Sequence, residues 1–362
     1  MIFDPILDIF RGKAVTIPPM DGALKPNTAL DDAAVLLEAE APDNLCSNGE
    51  YLFYSTGNQA IGIKAGADAK TGEVASFDSA VTALAALPGG PLAIGLDDGR
   101  LVLLSDDGDQ RELTPPAGLK CPTALAFDGK DALYVCQGSA RHKPSDWVVD
   151  LMEKGASGSL WRYDLASGKP DCLAQGLAFP YGVLALKGEH GVVVSEAWRH
   201  RLVGFAGHGA ATPVPILSKI AGYPARLSAA ADGGAWLALF APRNRLIEFT
   251  LLENAYRADM MREMPRDYWI APALSPQMSF LEPLQSGGVK TMGVHKPWSP
   301  SRSYGLAVKL DDKLRPQASY HSRANGRRHG VTAIAEFAGR ALVAAKGGGA
   351  ILDIGAAPGM GS

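Results

Sequence analysis

The sequence predicts an all-β chain, a six-bladed β-propeller, on three observations. One hairpin pattern recurs six times: a two- or three-residue opening, an apolar strand, a Gly/Asp/Asn turn and a second apolar strand. The openings fall at positions 42, 81, 122, 180, 224 and 331, so most intervals are about 40 residues, the length of a four-stranded blade. The strands are short continuous apolar runs, as in sheets packed on both faces. A β-sandwich would not repeat one motif six times.

Residues 1–40 read as an N-terminal helix and an extended lead-in. Ile2, Phe3, Ile6, Leu7 and Phe10 share one helical face. Acidic residues and the absence of a basic start exclude a signal peptide. No Lys or Arg rims the face, which favours a docked helix over a membrane-surface anchor. The propeller is expected over 41–355. Its inner hairpins are Pro42-Asp-Asn-Leu-Cys with Tyr51-Leu-Phe-Tyr, Val81-Thr-Ala-Leu-Ala with Pro91-Leu-Ala-Ile, and Pro122-Thr-Ala-Leu-Ala with Ala132-Leu-Tyr-Val. Then come Pro180-Tyr-Gly-Val-Leu with Gly191-Val-Val-Val, Pro224-Ala-Arg-Leu-Ser with Ala235-Trp-Leu-Ala, and Val331-Thr-Ala-Ile-Ala with Ala341-Leu-Val-Ala. Third strands follow, among them Gly99-Arg-Leu-Val-Leu-Leu, Ser159-Leu-Trp-Arg-Tyr and Arg245-Leu-Ile-Glu-Phe.

Two long intervals hold insertions, expected to be short helical lid or interface elements. The first, about 142–158, places Trp147, Val148, Leu151 and Met152 on a helical stripe; the second, about 251–302, holds a helical run at 255–263. Residues 356–362 read as a flexible tail.

Composition narrows the function. A net charge of −3 excludes a nucleic-acid or anionic-membrane partner, both of which need a basic excess. No run of about 18 apolar residues exists, so no membrane span is expected. The four cysteines lack zinc spacing. If Phe127 faces Ala132, Thr123 faces Cys136 and Cys121 lies beyond the strand. That pattern favours free thiols and a reducing cytoplasm over a disulfide.

The openings of the innermost strands converge on a propeller's axis. They place Asp43-Asn44, Thr82, Thr123, Tyr181, Ala225-Arg226 and Thr332 in one ring. Near these positions, Phe179-Pro-Tyr-Gly-Val, then Val192-Val-Val-Ser-Glu-Ala-Trp-Arg-His-Arg-Leu, and then Gly222-Tyr-Pro-Ala-Arg-Leu resemble the strictosidine synthase-like proteins. These belong to a six-bladed superfamily shared with paraoxonases and the regucalcin/gluconolactonase group. The resemblance runs from about residue 40 onward. It implies either calcium-dependent lactonase or arylesterase chemistry, or condensation of an amine with an aldehyde. It also implies an axial Ca²⁺ held by a Glu and several Asn/Asp. Here Asp43 stands at the Glu and is the one matching ligand. Thr123 and Tyr181 stand where Asn is usual, and Ala225-Arg226 where Asp-Asn is usual. Calcium takes six to eight oxygens, several of them anionic, so this set disfavours it and no cofactor is expected. The condensing enzyme's glutamate corresponds to Thr332, which removes its general base.

The expected activity is therefore a calcium-free lactonase- or esterase-like hydrolase of small, anionic substrates. Arg226 presents a fork suited to carboxylate or phosphate. Asp43 is its expected partner, or a general base if burial raises its pKa. Arg328 and His329 precede the last inner strand and should approach the same mouth. His329 is the leading histidine for catalysis, with His295 and Arg302 in substrate binding beside Asn44, Thr82, Thr123, Tyr181, Arg328 and Thr332. Glu196 is expected at the opposite mouth, in a structural pair with Arg199. A non-catalytic ligand-binding propeller and a condensing lyase are the alternatives.

Overall fold

A computed structural model describes residues 16–66, 71–116, 118–186, 191–205, 212–276, 290–291, 294–295 and 301–357. The helix expected in the first ten residues and residues 358–362 of the tail lie outside these.

Six four-stranded antiparallel sheets form the expected blades. From the innermost strand, blade one is Asp43–Ser47, Tyr51–Thr56, Gln59–Lys64 and Thr71–Ser76; blade three is Pro122–Asp128, Ala132–Gln137, Gly158–Asp164 and Pro170–Leu177. Blade six runs Val331–Phe337, Arg340–Ala345 and Ala350–Ala356, and its outermost strand is Ala34–Glu38, from the other end of the chain. The lead-in therefore closes the ring, and the propeller begins before residue 41. Pairing across the chain's two ends completes blade six and fastens the ring at its seam.

The apolar strands bury both faces between blades. Between blades two and three, Ala83, Ala85 and Ala93 pack with Leu103, Leu125, Leu133 and Tyr163. The small alanines of blade two let the leucines of blade three pack against them across the gap between blades. The tight turn of the blade-three hairpin uses Gly129 at φ +62°, which a Cβ would strain.

Three expectations are corrected. Arg245–Leu252 is a helix, not the third strand of blade five, because the Asn244 side chain accepts Leu246 N–H at 2.8 Å and caps it. That third strand is Gly305–Leu310, paired with Ala235–Pro242, so the second insertion begins near 243. In blade three, Phe127 pairs with Leu133 and Ala124 with Cys136, one step from the expected register. All four cysteines are free thiols.

The turn sets that offset by pairing Asp128 with Ala132; a bulge then returns Pro122 to the expected register opposite Gln137, and such a bulge recurs. Every inner strand shifts register just after its opening: at Asp43/Cys46, Val81/Ala83, Pro122/Ala124, Pro180/Gly182, Pro224/Leu227 and Val331/Ala333. A bulge leaves one residue unpaired and re-aims its side chain. The bulged positions include Asn44, Thr82, Thr123, Tyr181, Arg226 and Thr332, the ring read from the repeats.

Candidate functional site

An axial cavity of about 350 Å³ opens at the end where the inner strands begin. Its floor is polar and its wall aromatic. Asp43, Thr82, Thr123, Tyr181 and Arg226 all line it, each from a different inner strand.

Asp43 and Arg226 form the floor. Arg226 donates from Nη1 to Asp43 Oδ1 at 2.6 Å, and from Nη2 to the Thr82 and Thr123 carbonyls at 2.7 and 3.3 Å. One guanidinium from blade five thus ties blades one, two and three. Its carbon lies 4.9 Å from the Tyr181 ring centroid, a cation–π contact. Thr123 Oγ1 donates to the Pro180 carbonyl at 2.5 Å, linking blades three and four.

Lys346, just beyond the second strand of blade six, completes the floor. Its Nζ donates to Asp43 Oδ2 at 2.8 Å, while 31 % of its side chain remains exposed. Burial pushes the Asp43 carboxyl up, but the Arg226 and Lys346 charges outweigh it and hold it at about 2. Asp43 is therefore an ionised counter-charge, not a base tuned near neutrality. Burial pushes Lys346 down, but Asp43 raises it overall and keeps the ammonium charged.

The wall is built by Phe179, Tyr181, Trp198, Phe240 and Trp147. Phe179 stacks on Trp198 with centroids 4.5 Å apart, and Trp147 meets Phe240 edge-on at 5.3 Å. Trp147 comes from the first insertion, which is anchored where Asp97 accepts Ser145 N–H at 3.0 Å and Ser145 Oγ–H at 3.2 Å. Leu274 comes from the second. Both insertions therefore roof the cavity.

Other expected site residues lie apart from the cavity. Asn44 and Thr332 are fully buried behind the floor. Asn44 Nδ2 bonds Ser55 Oγ at 2.7 Å. His329 does not reach the mouth. It is fully buried, with Nδ1 on Ser303 Oγ and Nε2 on the Arg323 carbonyl, both at 2.8 Å, because Gly330 at φ +65° turns the chain just before the strand. Arg302 is buried and bonds the Ala271 and Asp267 carbonyls at 3.1 and 3.0 Å, so it holds the second insertion. Arg328 lies in a separate cleft. The His295 side chain is outside the described residues. Glu196 pairs with Arg199 as expected, but it faces Pro180 across its hairpin and so lies at the same mouth, not the opposite one.

This donor set does not fit calcium. Asp43 is the one carboxylate on the floor, and two cations hold its oxygens. Among the described residues no three His, Cys, Asp or Glu come together as a metal site.

Comparison with known proteins agrees with the fold. A family model described as strictosidine synthase matches residues 124–204, most of blades three and four. The adipocyte plasma membrane-associated protein of Danio rerio is 22 % identical over 317 residues, 77 % of this chain and 74 % of that protein. Protein STRICTOSIDINE SYNTHASE-LIKE 10 of Arabidopsis thaliana is 26 % identical over 162 residues, 44 % of this chain and 40 % of that one. Among solved structures, a gluconolactonase from Xanthomonas campestris superposes with TM-score 0.56 at 13 % identity, covering 90 % of this chain and 87 % of that one. A regucalcin from Agrobacterium tumefaciens, described as a calcium-binding protein, gives 0.51 at 14 % identity, covering 95 % and 96 %. These similarities, around six blades of the expected build, agree with the resemblance to strictosidine synthase-like proteins.

Proposed function

We propose that the axial cavity binds a small molecule with a flat apolar body and a carbonyl or anionic head. The observation that carries this reading is Lys346, a charged ammonium that faces the cavity above a neutralised Arg226–Asp43 pair. The floor holds two cations against the one carboxylate of Asp43, the second carboxylate of the lining, Asp97, is engaged by Ser145, and the aromatic wall buries a ring-sized body.

A second reading, lactone or ester hydrolysis, draws on the same group. An ammonium at the floor would polarise a bound carbonyl, the role an axial metal has in the family's hydrolases, with no cofactor needed. Water would add to the carbonyl carbon, the acyl carbon–oxygen bond would break, and an acid and an alcohol would leave. Among the described residues, the cavity wall holds no histidine to take the water's proton, and this favours binding over turnover. Condensation of an amine with an aldehyde is the weaker alternative, since Thr332 supplies no carboxylate. The free thiols suit a reducing compartment, and we propose a cytoplasmic location on that ground.

Calorimetry and product analysis with aromatic and alicyclic carboxylates, lactones and esters test the proposal. At least one compound should bind, and Lys346→Met should weaken it roughly 10- to 100-fold, as expected for a lost charge-assisted contact. Recovery of the ligand unchanged selects binding, and its cleavage selects hydrolysis. Equal affinity in wild type and Lys346→Met would overturn both.

A further inference from the structure

The basic segment 323–329 does not serve the axial cavity, yet it builds a site of its own. Arg323, Arg327 and Arg328 line a cleft of about 390 Å³ with Thr28, Asp31 and Asn325, between the lead-in and the connection from blade five to blade six. Asp31 shapes this connection. Its Oδ1 accepts from Ser322 Oγ at 2.8 Å and from Arg327 N–H at 3.0 Å. The loop passes so close that a Cβ on Gly326 would stand 2.5 Å from Asp31 Oδ2. The acid therefore organises backbone. Among the described residues, none of the three guanidinium groups forms an ion pair with a carboxylate.

The arginines have little else to bond. Arg323 Nε is buried without a partner. Arg328 Nη1 reaches the Gly348 carbonyl at a long 3.3 Å. Arg327 is exposed at the rim. Three like charges gathered around one cleft repel one another, in a chain whose net charge is −3. A bridging anion relieves that repulsion, and the planar fork of arginine matches phosphate and carboxylate oxygens. We propose that this cleft is a second, anion-binding site, which takes a phosphate or carboxylate group independently of the axial cavity.

Titration of the full-length protein with inorganic phosphate, read by phosphorus NMR at fixed ionic strength, tests this. A parallel arm uses succinate, read by calorimetry. Saturable binding is expected in at least one arm. It should weaken at least 10-fold in Arg327→Ala, whose exposed side chain can be removed without disturbing the fold, and further in Arg323→Gln/Arg327→Ala. It should be unchanged in Lys346→Met, so that a failure of the axial reading leaves this site standing. Three results would overturn the proposal: no saturable binding in either arm, equal binding by Arg327→Ala, or loss in Lys346→Met alone.

Discussion

Arg226 and Asp43 are 183 residues apart in sequence and meet at 2.6 Å on the propeller axis, with both side chains almost wholly buried. Removing one partner of such a pair strands the other. Arg226→Met is expected to destabilise the protein by about 3–5 kcal/mol, because Asp43 loses one of its two cations and two carbonyls lose their donor. Asp43→Asn/Arg226→Met should cost less than the sum of Asp43→Asn and Arg226→Met, since either single change already breaks the bond between them. Urea unfolding of wild type, the two single variants and the double checks this, and an additive double variant would show that the two side chains do not act as a pair.

The same pair sets part of the acid response. Asp43 titrates at about 2 in the folded protein, below its ordinary 3.8. Between those values the unfolded chain binds more protons, so stability falls as pH drops through this window, by about 2 kcal/mol. Glu248 adds in the same direction: burial pushes it up, but His200 and Arg243 hold it at about 2. Higher up, burial lowers His321 from 6.5 to about 4. Its neutral form is favoured in the fold, so stability present above pH 6.5 is lost as pH falls toward 4, by about 3 kcal/mol. Unfolding free energies from pH 7 to 2 should show both steps. Asp43→Asn should flatten the lower step and His321→Gln the upper.

What the sequence revealed and what it concealed have one cause. Repeats report strand geometry, so comparing six openings located the residues that follow them and hence Asp43, Thr82, Thr123, Tyr181 and Arg226 around one cavity. Lys346 was readable from the same hairpins. Val331 pairs with Ala345, so the residue after the second strand returns to the mouth where the first began. Placing second-strand ends at the opposite mouth misplaced Glu196 and hid Lys346. The aromatic wall was harder to foresee, because Trp147 enters from an insertion that carries no repeat signal. His329 shows the limit of adjacency: two residues before an inner strand, a single left-handed glycine decides where the ring goes.

His329 and Lys346 should therefore separate stability from binding. His329→Ala deletes a buried ring with two hydrogen bonds and should cost about 2–4 kcal/mol. It touches no wall of the axial cavity, so affinity there should stay within about twofold of wild type, a change under 0.5 kcal/mol. Lys346→Met should do the reverse, losing axial affinity with a smaller change in melting temperature. A large loss of ligand affinity in folded His329→Ala would place the histidine in the binding machinery after all.

The cavity wall depends on a buried contact behind it. Asp150 is buried in the first insertion and accepts Trp198 Nε1–H at 2.8 Å, which sets the Trp198 ring against Phe179. A Cβ on Gly155 would stand 2.2 Å from Asp150 Oδ2 and 2.4 Å from its Cγ, closer than atoms can approach. Gly155→Ala must therefore displace the carboxylate, and Trp198 with it. A loss of about 1–3 kcal/mol is expected, the range for overpacking, together with a changed near-ultraviolet dichroism from the rearranged aromatic wall. Trp198→Phe keeps an aromatic face but leaves Asp150 without its indole donor, and its Oδ1 already lacks a partner. That variant should lose about 1–3 kcal/mol by a different route, the cost of an unsatisfied buried acceptor. Asp150→Asn in the Trp198→Phe background separates the two routes. It should recover stability by replacing the stranded acceptor, whereas in Gly155→Ala, where the clash is steric, it should recover little.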